Sequence, residues 1–151
     1  QATKMGVALH SAMEWASDAH HPQEISVELL MARCELSAEQ ACTVVQWAAQ
    51  IMRHPAHQKW FDKSQYDEAH NEMVLMDAQG QVKRIDRWVR HVDCITIIDY
   101  KSAWSDENLP MYETQVRGYM DLMKQIYPEH SIQGILLRVD GAVHRIEWRV
   151  V

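Results

Sequence analysis

Two charged residues directly follow an apolar run in the middle of the chain. Residues 95–98 read ITII, and Asp99 and Lys101 come next with Tyr100 between them. Residues two apart on a strand project from the same face, so this strand would end in a carboxylate beside an ammonium group. The carboxylate could hold Mg²⁺, and the lysine could orient a water molecule or neutralise charge on a phosphate. A surface ion pair between Asp99 and Lys101 is the alternative interpretation.

A second carboxylate, Asp86, interrupts the strand-like segment 83–88. If this segment and residues 95–101 form adjacent antiparallel strands, Asp86 and Asp99 can converge. Two carboxylates within reach of one ion repel each other unless a cation lies between them, so their convergence would favour a divalent metal ion. Asp86 could instead pair with Arg84 or Arg87, and the spacing leaves both interpretations open.

Several familiar catalytic motifs are missing from the sequence. It contains neither GxxxxGKS/T nor GxGxxG, and neither GxSxG nor HExxH. The sequence therefore does not support an ATPase, a dinucleotide-dependent enzyme, a serine hydrolase of the common kind or a zinc protease. His54 and His57 are separated by a proline and an alanine and have no carboxylate nearby, which favours a surface turn over a metal site.

The composition is that of one folded domain over residues 1–151, with 47% hydrophobic and 24% charged residues. A net charge of −6 argues against capture of nucleic acid by bulk charge alone. Neither a membrane-spanning apolar run nor a secretory signal is recognisable, so we expect an intracellular protein with no membrane partner. The first residue is Gln1 rather than methionine, which suggests a piece excised from a longer polypeptide.

The first third of the chain is predicted to be helical. Apolar residues with the spacing of one helix face predict helices over residues 4–20, 25–32 and 37–52. Ser37 and Gln40 predict a capping box at the start of the third helix, and Pro55 follows its end. Residues 58–70 are predicted to be a connector with a short turn of helix at Trp60. This helical part spans about residues 4–60.

The rest of the chain alternates strand and helix patterns. Segments 72–76, 81–90 and 94–101 predict a three-stranded meander with a very short second hairpin. Residues 111–127 predict a helix, and residues 132–139 and 142–150 predict two strands joined at Asp140 and Gly141. The crossover helix makes the third and fourth strands parallel. We therefore expect an α/β fold with a mixed central sheet flanked by helices, its sheet core covering about residues 70–150.

Four motifs, in this order, resemble the RecB-like branch of the PD-(D/E)XK nuclease superfamily. They are GVALH at residues 6–10, GQVKRIDR at 80–87, IIDYKS at 97–102 and YETQVRGY at 112–119. The likeness is greatest to the C-terminal nuclease domain of UvrD-like helicase-nucleases of the RecB and AddA type. It covers about residues 5–144, is most specific between residues 80 and 119, and implies a restriction-endonuclease-like core.

The resemblance implies a Mg²⁺ centre in which Mn²⁺ can substitute. The implied ligands are His10, Asp86, Asp99 and the backbone carbonyl of Tyr100, and the implied catalytic residues are Asp86, Asp99 and Lys101. Glu72 occupies a first-strand position where many members carry a glutamate; an exposed strand residue is the alternative. Many relatives hold an iron-sulfur cluster with four cysteines, but none is expected here, because the chain has only three, wrongly spaced cysteines.

The resemblance also implies a path for DNA beside the metal centre. Gln115 and Tyr119 lie one helical turn apart, with Tyr112 one turn earlier, so the three can line a groove together. Tyrosine rings can stack on single-stranded bases, although ordinary packing would give the same spacing. Arg84 and Arg87 belong to a basic cluster that could bind phosphates, although strand alternation puts them on opposite faces.

These observations together predict a metal-dependent deoxyribonuclease. Single-stranded DNA is the expected substrate, delivered by a helicase in the same polypeptide during double-strand-break processing or recombinational repair in the bacterial cytoplasm. A second subunit is a further expected partner. The alternative is a catalytically silent nuclease fold that binds DNA or docks a partner subunit, and a nuclease acting on RNA or on particular DNA structures would share the same site.

Overall fold

A computed structural model describes residues 3–18 and 24–148 of the chain. Its α-helices are α1 (Lys4–Ala16), α2 (Val27–Cys34), α3 (Ala38–Arg53), α4 (Gln58–Phe61) and α5 (Leu109–Ile126). The strands are β1 (Glu68–Met76), β2 (Val82–His91), β3 (Cys94–Lys101), β4 (Ser131–Arg138) and β5 (Val143–Ile146). Short 3-10 turns at Pro55–His57 and Lys63–Gln65 flank α4. Among these helices, none is both long and apolar enough to cross a membrane.

The strands form one mixed sheet in the order β1-β2-β3-β4-β5. Strands β1 to β3 make an antiparallel meander, and β4 and β5 make an antiparallel hairpin. Strands β3 and β4 are parallel, with α5 as the crossover between them. The α/β fold with a mixed sheet and a helical N-terminal part is therefore confirmed. The short hairpin between β2 and β3 is also present, and its turn residue Val92 has a φ of 50°.

Apolar side chains fill a core on each face of the sheet. On one face, α1, α2 and α3 bury residues such as Leu9, Leu30 and Val44 in the same cluster as Val89 and Ile98 of the sheet. The other core lies between the sheet and α5, and includes Ile97, Trp88, Val116, Met120 and Leu136. The predicted core position of Trp88 is confirmed, since the side chain is fully buried. The sheet is thus covered on both faces, which fixes the positions of its strand ends.

Side-chain caps set the starts of the N-terminal helices. Thr3, Ser26 and Ser37 each accept a hydrogen bond from the backbone N–H three residues later. The Gln40 side chain accepts in return from the Ser37 backbone, so the predicted capping box is confirmed. Helix α5 begins with a proline in its first turn, where no hydrogen bond from the backbone nitrogen is needed.

Several predicted boundaries were wrong, each for a local reason. Helix α1 ends at Ala16 rather than residue 20, because the carbonyl of Ser17 accepts a hydrogen bond from Arg87 instead of continuing the helix. Strand β1 begins at Glu68 rather than residue 72, since Glu68 pairs with Arg90 of β2. Strand β5 ends at Ile146. The remaining predictions for residues 19–20 and 149–150 lie outside the described residues.

The predicted surface turn at His54 and His57 is only partly correct. The segment Pro55–His57 is a 3-10 turn, but the His57 side chain is fully buried. Its Nδ1 lies 2.6 Å from the carbonyl oxygen of Ile51, and its Nε2 lies 3.1 Å from that of Gly141. His57 therefore connects the end of α3 to the hairpin between β4 and β5.

Candidate active site

Residues from four elements converge at the carboxyl end of β3. Asp99 and Lys101 come from β3, Asp86 from β2, Glu72 from β1 and His10 from α1. One nitrogen of His10 and one carboxylate oxygen each of Glu72 and Asp86 all lie within 4.8 Å of one another. The structure therefore brings together the residues that the sequence placed at a metal centre.

The strands are irregular where these carboxylates lie. The pairing of β1 with β2 omits the Glu72 and Asp86 pair, and Glu72 has a φ of 52°, which a non-glycine residue rarely adopts. In a regular strand, residues three positions apart face opposite sides of the sheet. Ile85 and Trp88 nevertheless lie in the same core, so the alternation of faces is interrupted by one residue between them, a slip in β2. Alternation from Ile85 places Asp86 on the side of α1, and the slip places Arg87 on that side as well.

His10 and the backbone of Tyr100 complete the inner part of the site. His10 Nε2 lies 3.2 Å from the Tyr100 carbonyl oxygen, and His10 Nδ1 lies 3.5 Å from Asp86 Oδ1. The other Asp86 oxygen accepts a hydrogen bond of 2.9 Å from the Tyr100 backbone N–H. Asp86 is thus fixed by β3 on one side and faces the imidazole on the other.

The surroundings of the site disfavour the ionised form of Asp86 and Glu72. Burial raises the pKa of Asp86 well above its usual range, and the charge of Asp99 raises it further. Burial also raises the pKa of Glu72, and the charge of Glu14 adds to this rise. These shifts mean that ionised Asp86 and Glu72 are destabilised by their surroundings.

Asp99 has a buried oxygen that lacks a hydrogen-bond partner. Asp99 Oδ2 lies 3.0 Å from Lys101 Nζ, but the angles are not those of a hydrogen bond. Within the described part of the chain, this oxygen accepts no hydrogen bond. The ammonium group of Lys101 therefore supplies the positive charge beside this buried oxygen, although it donates no hydrogen bond to it.

The available donor atoms fit a hard divalent cation. The set consists of oxygens from Asp86, Asp99 and Glu72, the carbonyl of Tyr100, and one imidazole nitrogen from His10. Mg²⁺ and Mn²⁺ prefer such oxygen-rich surroundings, and no cysteine lies in this cluster. A cation here would offset the repulsion among the carboxylates.

Lys101 and Tyr112 lie on the open side of the site. Lys101 Nζ is 4.3 Å from the centre of the Tyr112 ring, close enough for a cation–π contact. Both side chains line a cleft together with Gly6, His10 and Ser102. Lys101 is therefore held between Asp99 and Tyr112 at the wall of a cleft that a substrate could enter.

Gln115 and Tyr119 of α5 differ in their exposure. Gln115 is exposed, whereas Tyr119 is only 6% exposed and belongs to the core beside α5. Burial, together with the charges of Asp99 and Asp86, raises the pKa of Tyr119 to about 12. The predicted stacking of bases on Tyr119 is wrong, because its ring is buried; its hydroxyl instead lies near the carboxylates.

The two predicted phosphate-binding arginines also have different positions. Arg84 is exposed, and its Nε lies 3.5 Å from Glu72 Oε2. Arg87 is 1% exposed and donates hydrogen bonds to the carbonyl oxygens of Ser17 and Trp60. The predicted DNA contact of Arg87 is therefore wrong, because its guanidinium is buried and holds the end of α1 against the sheet.

Sequence reasoning missed Glu14 and Asn71. Glu14 raises the pKa of Glu72, and it lies four residues after His10 on the same helix, a spacing that could have identified it. The Asn71 side chain donates to the Glu14 carbonyl and accepts from Arg87. No local signal marks Asn71, since its role depends on the contact between α1 and β1.

Comparisons with known proteins identify a family for the chain. A model of the PD-(D/E)XK nuclease superfamily matches residues 1–147. A solved structure, "Crystal structure of SSO0001", is 14% identical, with a TM-score of 0.37; the match covers 98% of this chain and 77% of that chain. No curated protein matches the chain significantly. The mixed five-stranded sheet with helices on both faces is consistent with a restriction-endonuclease-like fold.

Proposed function

The chain belongs to the PD-(D/E)XK nuclease superfamily, and on this basis we propose that it is a metal-dependent deoxyribonuclease that hydrolyses phosphodiester bonds. One observation supports the proposal most strongly. Asp86 lies in a buried corner where its carboxylate, His10 and Glu72 have ligand atoms within 4.8 Å of one another, and the charge of Asp99 further disfavours its ionisation. Such an arrangement is costly for folding alone and suits a site that holds a cation.

The metal would be held by residues of helix α1 and of the sheet. Its proposed ligands are His10, Asp86, Asp99 and the carbonyl oxygen of Tyr100, with Glu72 as a further ligand. A bound Mg²⁺ or Mn²⁺ would supply a water molecule of lowered pKa and would stabilise negative charge on the phosphate. The irregular backbone at Glu72 helps to direct its carboxylate towards His10.

Lys101 is the proposed catalytic lysine. Its ammonium group is positioned by Asp99 on one side and by the ring of Tyr112 on the other. In this position it can orient the attacking water and neutralise charge that develops on the phosphate. Its side chain is 18% exposed, so a phosphate in the cleft can reach it.

The proposed substrate is single-stranded DNA. Arg84, Tyr112 and Gln115 remain candidates for contacts with the strand, since each is at least partly exposed near the site. The net charge of −6 would weaken capture of free DNA. Delivery of an unwound strand by a helicase would overcome this weakness.

We further propose a RecB-like, helicase-associated subtype for this domain. The order and content of the four motifs support this subtype, as does the histidine in the motif on α1. The corresponding setting is double-strand-break processing or recombinational repair in the bacterial cytoplasm, with a helicase motor in the same polypeptide and a second subunit as partner. An exonuclease action on the delivered strand would suit this setting.

The test is cleavage of end-labelled single-stranded and double-stranded DNA with Mg²⁺, Mn²⁺ or EDTA. We expect cleavage by the wild type in either metal, none in EDTA, and a loss of about 100-fold or more in Asp99→Ala and Lys101→Ala. The exposed residues Asp106 and Lys63 provide matched controls, and Asp106→Ala and Lys63→Ala should cleave like the wild type. Binding of DNA without cleavage in any metal would instead support the silent binding module.

A further inference from the structure

An arginine that the metal centre does not use lies beside the catalytic lysine. Strands β3 and β4 are parallel, and Lys101 pairs directly with Arg138 in their register. Paired residues on adjacent strands project from the same face of a sheet. Arg138 therefore lies at the same strand end and on the same face as Lys101, one strand further along.

Arg138 is stacked on the ring of Trp104. The centre of its guanidinium lies 4.5 Å from the centre of the Trp104 ring, which is close for a cation–π contact. Trp104 lies in the loop after β3, three residues beyond Lys101, and is partly exposed. A partly exposed pair of a guanidinium and an indole thus lies next to the proposed active site.

Asp140 fixes the orientation of this pair. Its two carboxylate oxygens accept hydrogen bonds of 2.9 Å from Arg138 Nε and 2.8 Å from Arg138 Nη2. Hydrogen bonding to Arg138 lowers the pKa of Asp140 to about 2, so the carboxylate stays ionised near neutral pH. The third nitrogen, Nη1, makes no hydrogen bond to the described residues, and the Arg138 side chain remains 30% exposed.

The chemistry of this group favours a base over a phosphate. The Arg138 and Asp140 pair carries no net charge, so its attraction for a phosphate is weak. A guanidinium held over an indole instead adds to an aromatic surface, and such surfaces stack on single-stranded bases of any sequence.

We propose that Trp104 and Arg138 form a stacking platform for one nucleobase of a single strand, adjacent to the phosphate that Lys101 faces. The inference rests on the proposed nuclease function and makes it more specific. The platform requires an unpaired base, because a base within a duplex has no free face to offer. It therefore gives the domain its own preference for single strands.

The test compares a fluorescently labelled oligothymidine with a strand of the same length that lacks the bases. Binding is measured with Ca²⁺ in place of Mg²⁺, for the wild type, Trp104→Leu and Trp104→Tyr. The wild type should bind the base-containing strand about 5-fold to 100-fold more tightly, as expected for one stacked base. Trp104→Leu should bind the two strands almost equally, whereas Trp104→Tyr, which keeps an aromatic ring, should retain most of the preference.

Trp148 provides the matched control. Its ring also lies under a cation, Lys124, at 5.7 Å. Trp148 follows β5, which runs antiparallel to β4 and whose last residue, Ile146, pairs with Gly134 in the middle of β4. Trp148 therefore lies towards the start of β4, at the opposite end of the sheet from Lys101. Trp148→Leu should therefore keep the preference for bases.

The outcomes separate this inference from the proposed function. If the wild type cleaves DNA and Trp104→Leu keeps the full preference for bases, the platform is wrong and the nuclease proposal stands. If the wild type prefers bases and loses that preference only in Trp104→Leu, the platform is supported whether or not cleavage is detected. A wild type that neither binds nor cleaves DNA would overturn both proposals.

Discussion

Glu72, Asp86 and Asp99 lie together in a corner of the molecule from which water is largely excluded. Their side chains are 17%, 6% and 5% exposed, respectively. Ionised Asp86 and Glu72 are destabilised by burial and by neighbouring negative charges, as their raised pKa values indicate. At the scale of single residues, the site therefore lowers the stability of the metal-free fold.

Replacing Asp86 by asparagine should stabilise the metal-free protein. Asp86→Asn removes a buried negative charge but keeps an oxygen that can accept the hydrogen bond from the Tyr100 N–H. We expect a gain of about 1 kcal/mol at neutral pH in EDTA, or roughly 3 °C in Tm. Thermal denaturation followed by circular dichroism measures this gain.

The same measurement in Mg²⁺ provides the control. Mg²⁺ should raise the Tm of the wild type, because it binds the native state, and should leave that of Asp86→Asn almost unchanged. Asp106→Asn, in an exposed loop, should behave like the wild type in both buffers. A loss of several degrees for Asp86→Asn in EDTA would show that the carboxylate stabilises the fold, contrary to our interpretation.

The close approach of α5 to β4 determines where Tyr112 and Gln115 lie. Gly134 of β4 lies under α5, and a Cβ added there would come 2.6 Å from Val116 Cγ1 and 2.8 Å from Met120 Sδ. Any side chain at this position must push the helix away from the sheet. This contact sets the distance between α5 and β4.

Gly134→Ala should therefore destabilise the domain by about 1–3 kcal/mol. Gly118, on the exposed side of α5, has nothing within 4 Å of an added Cβ. Gly118→Ala should stabilise the helix by about 0.5–1 kcal/mol, since alanine is the better helix former. Urea denaturation of both variants gives the two free energies of unfolding, and equal effects would contradict the proposed packing.

The elements with a regular pattern were predictable from the sequence. The predicted range of β3 is identical to the observed one, and the crossover helix and the parallel pair followed from their order along the chain. Three of the first four residues of β1 are polar, so no local pattern predicts a strand there, and the strand depends on pairing with β2. The end of α1 depends in the same way on Arg87, which is distant in sequence.

Within the site, the motifs implied which residues lie near one another, and their roles stay a prediction. Asp86, Asp99 and His10 lie together as the motifs implied. The burial of Arg87 was not predictable, because it requires the slip in the alternation of β2. Arg138 was missed because its position beside Lys101 follows only from the register of β3 and β4.

The helices α1, α2 and α3 form a helical layer that packs on one face of the sheet, and the site includes residues of this layer and of the sheet. His10 belongs to the helical layer, and the carboxylates belong to the sheet. Arg87 and His57 are two buried polar connections between the layers, the second joining α3 to the hairpin of β4 and β5. The geometry of the site therefore depends on how firmly these layers are held together.

Acid should weaken one of these connections. Burial lowers the pKa of His57 below its usual value, and hydrogen bonding to the Ile51 carbonyl opposes this shift. A lowered pKa in the folded state means that His57 stabilises the fold above about pH 6.5, and that this contribution is lost as the pH falls through the lowered value. The free energy of unfolding of the wild type should therefore fall between pH 7.5 and pH 5 by more than that of His57→Gln. A parallel fall in both proteins would indicate that His57 stays protonated between its two carbonyl acceptors.

Binding of Mn²⁺ tests whether the buried carboxylates hold a divalent ion. Electron paramagnetic resonance of free Mn²⁺ during a titration measures the bound fraction. We predict that the wild type binds Mn²⁺ and that Mg²⁺ competes for the same site. Asp86→Asn and Asp99→Asn should bind Mn²⁺ at least 10-fold more weakly than the wild type. Asp106→Asn should bind Mn²⁺ as tightly as the wild type. If the wild type does not bind Mn²⁺, the carboxylates do not hold a divalent ion. The same conclusion follows if Asp86→Asn and Asp99→Asn bind Mn²⁺ as tightly as the wild type does.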